Sequence, residues 1–522
     1  MVTIVKYTDR EQPKNQYPTQ IISPPRSGPC CFSEADSAFT LDIVVASEGS
    51  YHMGRERRTR HGQVPSRRGR ASLSWCSMLP TAAATLLLCV LLTTVPSAVW
   101  SQGAPSGGMA DYQASATCQG CHGTIFDEHM ASQHERSVSN PVFQAQYFTE
   151  LLPQVAGNPA LLEEAKLCIA CHAPIAYQQG KAPVTRKDEI DPTWAGVTCD
   201  FCHTMTGFSA PAPGNGNFIG APATKKLGPF RREEDWHHAY SKFQTLSEAC
   251  AVCHNAVNHR GLEIKSTYTE WKNSRYAREG IQCQDCHMTT SGFLTGGKPV
   301  YASGQAAQMG LAEVPVRARL YTHRFPGAHS RSQVEGAITL GIELERSAVS
   351  PGDAIFVLIH VDNERTGHKM PSGSADLRQM WLSLQVAVGD RVIAVPAGSL
   401  RGAVPYDVAG KGPFDQEILG QDIPAGSRIY RCIFVDQSLR QTLSSYNAVR
   451  IIFDNRLDAG EIRHETYRVT IPPEARGTVA LHASLNYLAY PSSFAARLGL
   501  PKPEPVEVAS ARAEIPVRPL SP

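Results

Sequence analysis

Hydrophobic patterning divides the chain into stretches of different character. Residues 1–77 show no apolar periodicity and are scattered with Pro, Ser and Arg. They read as a disordered or mis-called N-terminal extension, with the true start expected at Met53 or Met78. Leu79 to Val95 is then one continuous apolar run, LPTAAATLLLCVLLTTV, preceded by the basic stretch Arg55 to Arg70 and followed by Pro96-Ser-Ala-Val-Trp-Ser101. Charged, apolar and small residues in that order predict a secretory signal over 78–101, cut after Ser101. The run is short for a spanning helix; left uncut it would anchor the chain to a membrane. Beyond it, 102–334 carries short helical signals broken by many loops, with a Gly/Ala/Pro-containing connector over 291–320. From 335 the period falls to two. Ile338–Leu344, Ile355–Ile359, Trp381–Val388, Val449–Phe453, Tyr467–Ile471 and Val479–Tyr487 read as strands punctuated by Gly, Pro, Asp and Asn. Such strands argue for an Ig-like sandwich over 335–500, trailed by a Pro-rich, loosely packed tail over 501–522.

The loop-rich stretch carries one pattern five times: Cys118-Cys121-His122, Cys168-Cys171-His172, Cys199-Cys202-His203, Cys250-Cys253-His254 and Cys283-Cys286-His287. Cys-x-x-Cys-His is the attachment site of a c-type haem. The paired thiols form thioethers with the vinyl groups, and the histidine ligates the iron from one side. Zinc knuckles share the Cys-x-x-Cys pair but do not require histidine next to it. Disulfides fit worse, because cysteines so close in sequence cannot staple a fold of this size. The motifs therefore predict five covalently attached haems c, whose porphyrins supply much of the apolar core. The predicted fold class is α+β: a mainly helical, loop-rich pentahaem domain over 102–334, then an all-β sandwich. Haem of this kind is attached outside the cytoplasm, so the expected location is periplasmic or extracellular, in line with the signal.

Spacing hints at history. The motif histidines lie 50, 31, 51 and 33 residues apart, an alternation that points to an old duplication. Phe126–Glu135 also resembles Tyr268–Ala277, except that His134 in the first is Tyr276 in the second. Charge adds an exclusion: 50 Lys and Arg against 48 Asp and Glu leave no basic excess for a nucleic-acid partner. Cys432, in a strand-like run outside the motifs, reads as an inert core thiol.

The sixth iron position decides the chemistry, because a protein ligand gives a carrier and an open position admits substrate. Eleven histidines after Ser101 lie outside the motifs, more than the five needed. Several segments resemble the cytochrome c-554 and hydroxylamine-oxidoreductase superfamily over about 112–330. They are Cys118-Gln-Gly-Cys-His122 leading to Ser132-Gln-His134, Gly196-Val-Thr-Cys-Asp-Phe-Cys-His203, and Thr267-Tyr-Thr-Glu-Trp-Lys running into Glu279-Gly-Ile-Gln-Cys-Gln-Asp-Cys-His-Met288. The resemblance implies His134 as a distal ligand and another from the His-rich stretch before the fourth motif, where His238 is favoured over His237. Thr322-His323-Arg-Phe-Pro-Gly-Ala-His329 resembles the distal segment that follows the last haem, so His323, His329 or both are candidates. Gly367-His368-Lys-Met-Pro-Ser-Gly373 is similar to a loop of multihaem cytochromes with a C-terminal domain. It implies that His368 reaches a haem across the domain boundary, with Met370 as a weaker rival. His259 is a further alternative.

The first expectation is thus an electron-transfer protein exchanging electrons with other cytochromes or quinol-linked donors. The second is an oxidoreductase of a small nitrogen compound at one open haem, which the Tyr276-for-His difference would mark. No Cys-x-x-Cys-Lys motif supports this. A homo-oligomer or filament, with a histidine donated between subunits, is a third arrangement open to this sequence.

Overall fold

The computed structural model describes residues 111–518, apart from 210, 232–236, 309–313, 396–401, 403–404, 411 and 413–421. The N-terminal extension and secretory signal expected over 1–101 lie outside the described residues. The motif-bearing region is built from short helices, chiefly α1 (Gln119–Met130), α2 (Pro141–Gln144), α3 (Pro159–His172), α4 (Glu248–His254), α5 (Thr267–Lys272) and α6 (Arg275–Arg278). Small two-stranded ladders such as Lys226–Gly228 with His238–Tyr240 fill the gaps.

Helix α3 shows why these elements form where they do. Asn158 caps it by accepting the Leu161 amide, and Pro159 occupies the first helical position, where no amide is needed. Its last turn is the second motif. On a helix, residues three and four apart share a face, so Cys168, Cys171 and His172 present together. Motifs four and five likewise close the short helices Glu248–His254 and Gln284–His287. The local helix is what makes the Cys-x-x-Cys-His spacing chemically useful.

The second region is the expected sandwich. Its strands are β1 (Thr339–Leu344), β2 (Ala354–Asp362), β3 (Gln379–Val388), β4 (Arg391–Val395), β5 (Arg428–Tyr430), β6 (Cys432–Val435), β7 (Arg450–Asp454), β8 (Ile462–Thr470), β9 (Thr478–Leu488) and β10 (Val506–Pro516). One antiparallel sheet runs β8-β2-β1 and the other β4-β3-β9-β10, with β5 also on β3. Strand β2 alternates as a half-buried strand must. Ile355, Val357, Ile359 and Val361 point inward, while Phe356 and His360 lie on the other face. They meet Met380, Leu382, Leu384 and Val386 of β3 and Val479, Leu481 and Leu485 of β9 in one apolar core.

The end of the chain departs from expectation. Residues 506–516 are not a loose tail but a full strand on β9, with Val508 and Ile515 buried. A bulge near Leu485 and Asn486 shifts the pairing by one residue, so inward positions are even before it and odd after it.

The two regions share a wide contact. Gln146 donates to the Leu443 carbonyl, Gln154 to the Tyr446 hydroxyl, and Asn258 to the carbonyls of Ser445 and Ala448. Glu150 takes both the Ser444 hydroxyl and the Arg497 guanidinium. Tyr446 packs among Tyr147, Leu151 and other core residues of the motif region.

Candidate functional site

All five motifs face a single cavity of ≈ 1400 Å³. Ordinary ligand pockets hold roughly 300–1,000 Å³, so this space suits a set of large apolar groups rather than one ligand. The ten motif cysteines form no disulfides. Their thiols meet across motifs: Cys118 with Cys199, Cys171 with Cys253, and Cys250 with Cys283. Cys202 lies near Cys250 and Cys253.

The imidazoles carry the decisive geometry. His122 faces His237 with ring centroids 5.9 Å apart, and His134 faces His254 at 6.1 Å. His203 faces His323 at 6.3 Å, and His287 faces His368 at 6.2 Å with planes only 5° apart. Two metal–imidazole bonds of about 2 Å plus two ring radii of roughly 1 Å span about 6 Å. Each pair is therefore spaced to hold one iron between two rings, and the residues present fit a haem.

Proton placement agrees. Carbonyl oxygens only accept, so a ring nitrogen that bonds one carries the proton. His122 Nδ1 donates to Ala306 at 2.7 Å, His172 Nδ1 to Ser137 at 2.7 Å, and His203 Nδ1 to Leu227 at 2.6 Å. His323 and His368 do the same to Tyr321 and Lys369. Each keeps its Nε2 lone pair for a metal and has its ring orientation fixed. Burial, helped by neighbouring imidazoles, lowers His134, His287 and His323 to about 3. Desolvation lowers His172 to about 4. All four are neutral at pH 7, as ligation requires.

The distal imidazoles have distinct supports. His134 lies under Phe325, 4.3 Å between rings, and its carbonyl accepts the Val197 amide. Gly196 permits that approach: its φ is +80°, and a Cβ there would sit 2.2 Å from the Glu135 carbonyl oxygen. Glu128 accepts the His323 amide and the Arg324 guanidinium, which fixes the following loop. His368 comes from the β domain. Glu270 of α5, buried, accepts the Lys369 amide, the Ser372 hydroxyl, the Ser266 hydroxyl and Arg456, whose guanidinium also grips Asp454. Asn363 and Thr366 donate to the His368 carbonyl.

Four sequence expectations change. His237, not His238, meets His122; His238 Nε2 is taken by the Phe230 carbonyl at 2.6 Å. Both residues line the cavity, but His238 opens the short strand and its ring is tied to that carbonyl, while His237, just before the strand, is the one that meets His122. We expect His237→Ala to convert one low-spin iron to high-spin and His238→Ala to leave the spin states unchanged, read by electron paramagnetic resonance. His329 lines the cavity, but among the described residues it faces no motif imidazole; His323 is the one that meets His203. His259 bonds Glu164. Tyr276 marks no missing ligand: it is buried beside Trp271 and Leu294 and donates to the Glu364 carbonyl at 2.7 Å. Among the described residues the motif histidine that no second imidazole faces is His172, on which Phe143 stacks at 3.9 Å.

Residues 117–204 match the family of cytochrome c554 and c-prime. Among solved structures, the penta-heme cytochrome c552 from Thermochromatium tepidum matches with a TM-score of 0.53 and 19% identity, over 77% of this chain and 98% of that one. The sporulation control protein Spo0M from Bacillus subtilis matches at a TM-score of 0.14 and 14% identity, over 35% of this chain and 49% of that one, too little to carry weight. No curated protein matches the sequence. Residues 117–204 thus resemble cytochrome c554 and c-prime, and the chain shares the fold of a penta-heme cytochrome c552, with a β domain at its C-terminal side.

Proposed function

We propose that the chain carries five haems c and relays electrons between redox proteins outside the cytoplasm, such as other cytochromes or quinol-linked donors. The observation that supports this most directly is the set of four imidazole pairs at iron-spanning distance. Cys118 and Cys121, Cys168 and Cys171, Cys199 and Cys202, Cys250 and Cys253, and Cys283 and Cys286 would hold the macrocycles. His122, His172, His203, His254 and His287 would be the proximal ligands. His237, His134, His323 and His368 would be distal to the first, fourth, third and fifth. Haem c, once bound, supplies one-electron chemistry at low potential when two imidazoles ligate it. The chain's part is to keep those imidazoles neutral, fix their rings through backbone carbonyls and exclude water. The proposed domains are a pentahaem region over 102–334 and a β domain from 335 that includes β10. Among the described residues no helix is long and apolar enough to cross a membrane.

The test is a denatured mass together with electron paramagnetic resonance of the oxidised protein. Five macrocycles and low-spin signals from paired imidazoles are expected. A mass short of five, or the absence of low-spin iron, overturns the reading.

One observation favours a second reading, an oxidoreductase of a small nitrogen compound. His172 lacks a facing imidazole, so a haem held there would have a different sixth position. Cyanide, nitrite or hydroxylamine should then perturb one centre; spectra that ignore all three remove this reading.

A further inference from the structure

The cavity wall near His172 is built unlike the rest. Segment 133–143 links the two: Ser137 accepts from His172, Phe143 stacks on its ring, and Asn140 donates to Gln133. Val142 packs on the β-domain cluster of Leu377 and Phe494, with Tyr490 alongside. Gln133 abuts Gly327, two residues before His329. Arg378, Tyr487 and His329 all line the cavity.

The polar groups there are not satisfied within the protein. Tyr487 is 2% exposed, yet its hydroxyl has no hydrogen-bond partner. Arg378 gives one guanidinium N–H to the Ala489 carbonyl, but its Nε is buried without a partner. Leaving a buried donor unmet costs about 1–3 kcal/mol, so the Arg378 Nε and the Tyr487 hydroxyl on the cavity wall call for a ligand that completes them. Arg378 is close enough for its charge to act on His329, Tyr487 and Tyr490. A planar guanidinium fork with a phenolic hydroxyl and an imidazole suits two oxygens of one anion.

We propose that Arg378, Tyr487 and His329 form a binding site for a carboxylate-sized oxyanion beside the second motif. The β domain then contributes to that centre as well as to the fifth. This rests on the reading that Cys168, Cys171 and His172 hold a haem. Two sources share the chemistry: a free monovalent oxyanion, or a carboxylate arm of that haem.

The test uses the full five-haem protein, with formate and nitrite as probes, and the variants Arg378→Gln and Tyr487→Phe. The second removes only a hydroxyl and keeps the shape of the core. If the anion is free, the Soret band shifts saturably with either probe, Arg378→Gln weakens binding at least tenfold, and Tyr487→Phe weakens it severalfold. If the anion is the haem's own, neither probe acts, but Arg378→Gln lowers one midpoint potential in spectroelectrochemistry. Both results support the site. Variants that retain five macrocycles and change neither the titrations nor any potential overturn it. Failure of the underlying reading is seen separately, as a Cys168–His172 peptide that carries no haem in the unmutated protein.

Discussion

His368→Ala is expected to abolish one of the paired-imidazole signals and replace it with high-spin iron, while the number of attached haems stays that of the parent. The attachment cysteines Cys283 and Cys286 are untouched by this change, so cofactor loading and ligation separate cleanly. His368 faces His287 with the most nearly parallel rings of the four pairs, 5° apart. Its loop belongs to the β domain and is held by Asn363, Thr366 and Glu270 rather than by the motif region alone. Added imidazole should restore the low-spin form, because the cavity vacated by the side chain has that shape. An oxidised spectrum identical to that of the parent would refute the pairing.

Glu270→Ala should be the most destabilising single change at the domain boundary. The carboxylate and the Arg456 guanidinium are 6% and 4% exposed. Stranding one member of such a pair costs about 3–5 kcal/mol; Arg456 keeps Asp454, so its share of the loss is smaller than that. Here Ser266, Ser372 and the Lys369 amide lose their acceptor as well. The expected outcome is a lower melting temperature by circular dichroism, together with partial high-spin character at the centre that His368 serves. Glu270→Gln keeps an acceptor oxygen and should lose less. A melting temperature unchanged in the alanine variant would show that the network does not hold the loop.

The parts of this protein visible in the sequence are the parts that are local. Cys-x-x-Cys-His is a one-turn device, and its five copies announce themselves without any knowledge of the fold. The β2 and β3 strands are legible for a similar reason, since their alternation is fixed by which sheet face meets the core. Distal imidazoles are a different matter, because each is chosen by a contact far away in sequence. His238 opens a short strand and His237 just precedes it, and nothing in their neighbours encodes which of them meets His122. The resemblance pointed to the loop carrying His368, but the register that brings it to His287 depends on Glu270, 98 residues earlier. Strand β10 escaped notice because its core positions change parity at the bulge and several of its residues are alanine, a weak strand former. His172 is the reverse case: a motif plain in the sequence, whose exceptional surroundings appear only in three dimensions.

The thiol contacts give the array a shape. The first motif touches the third, the third lies near the fourth, and the fourth alone abuts both the second and the fifth. On the five-haem reading, this is a branched circuit with His254 at its crossroads. Loss at the second or fifth position would clip a terminus and leave the trunk conducting. Among these contacts the fourth position is the one that meets both the second and the fifth, so a lesion at this one address would part both branches from the trunk.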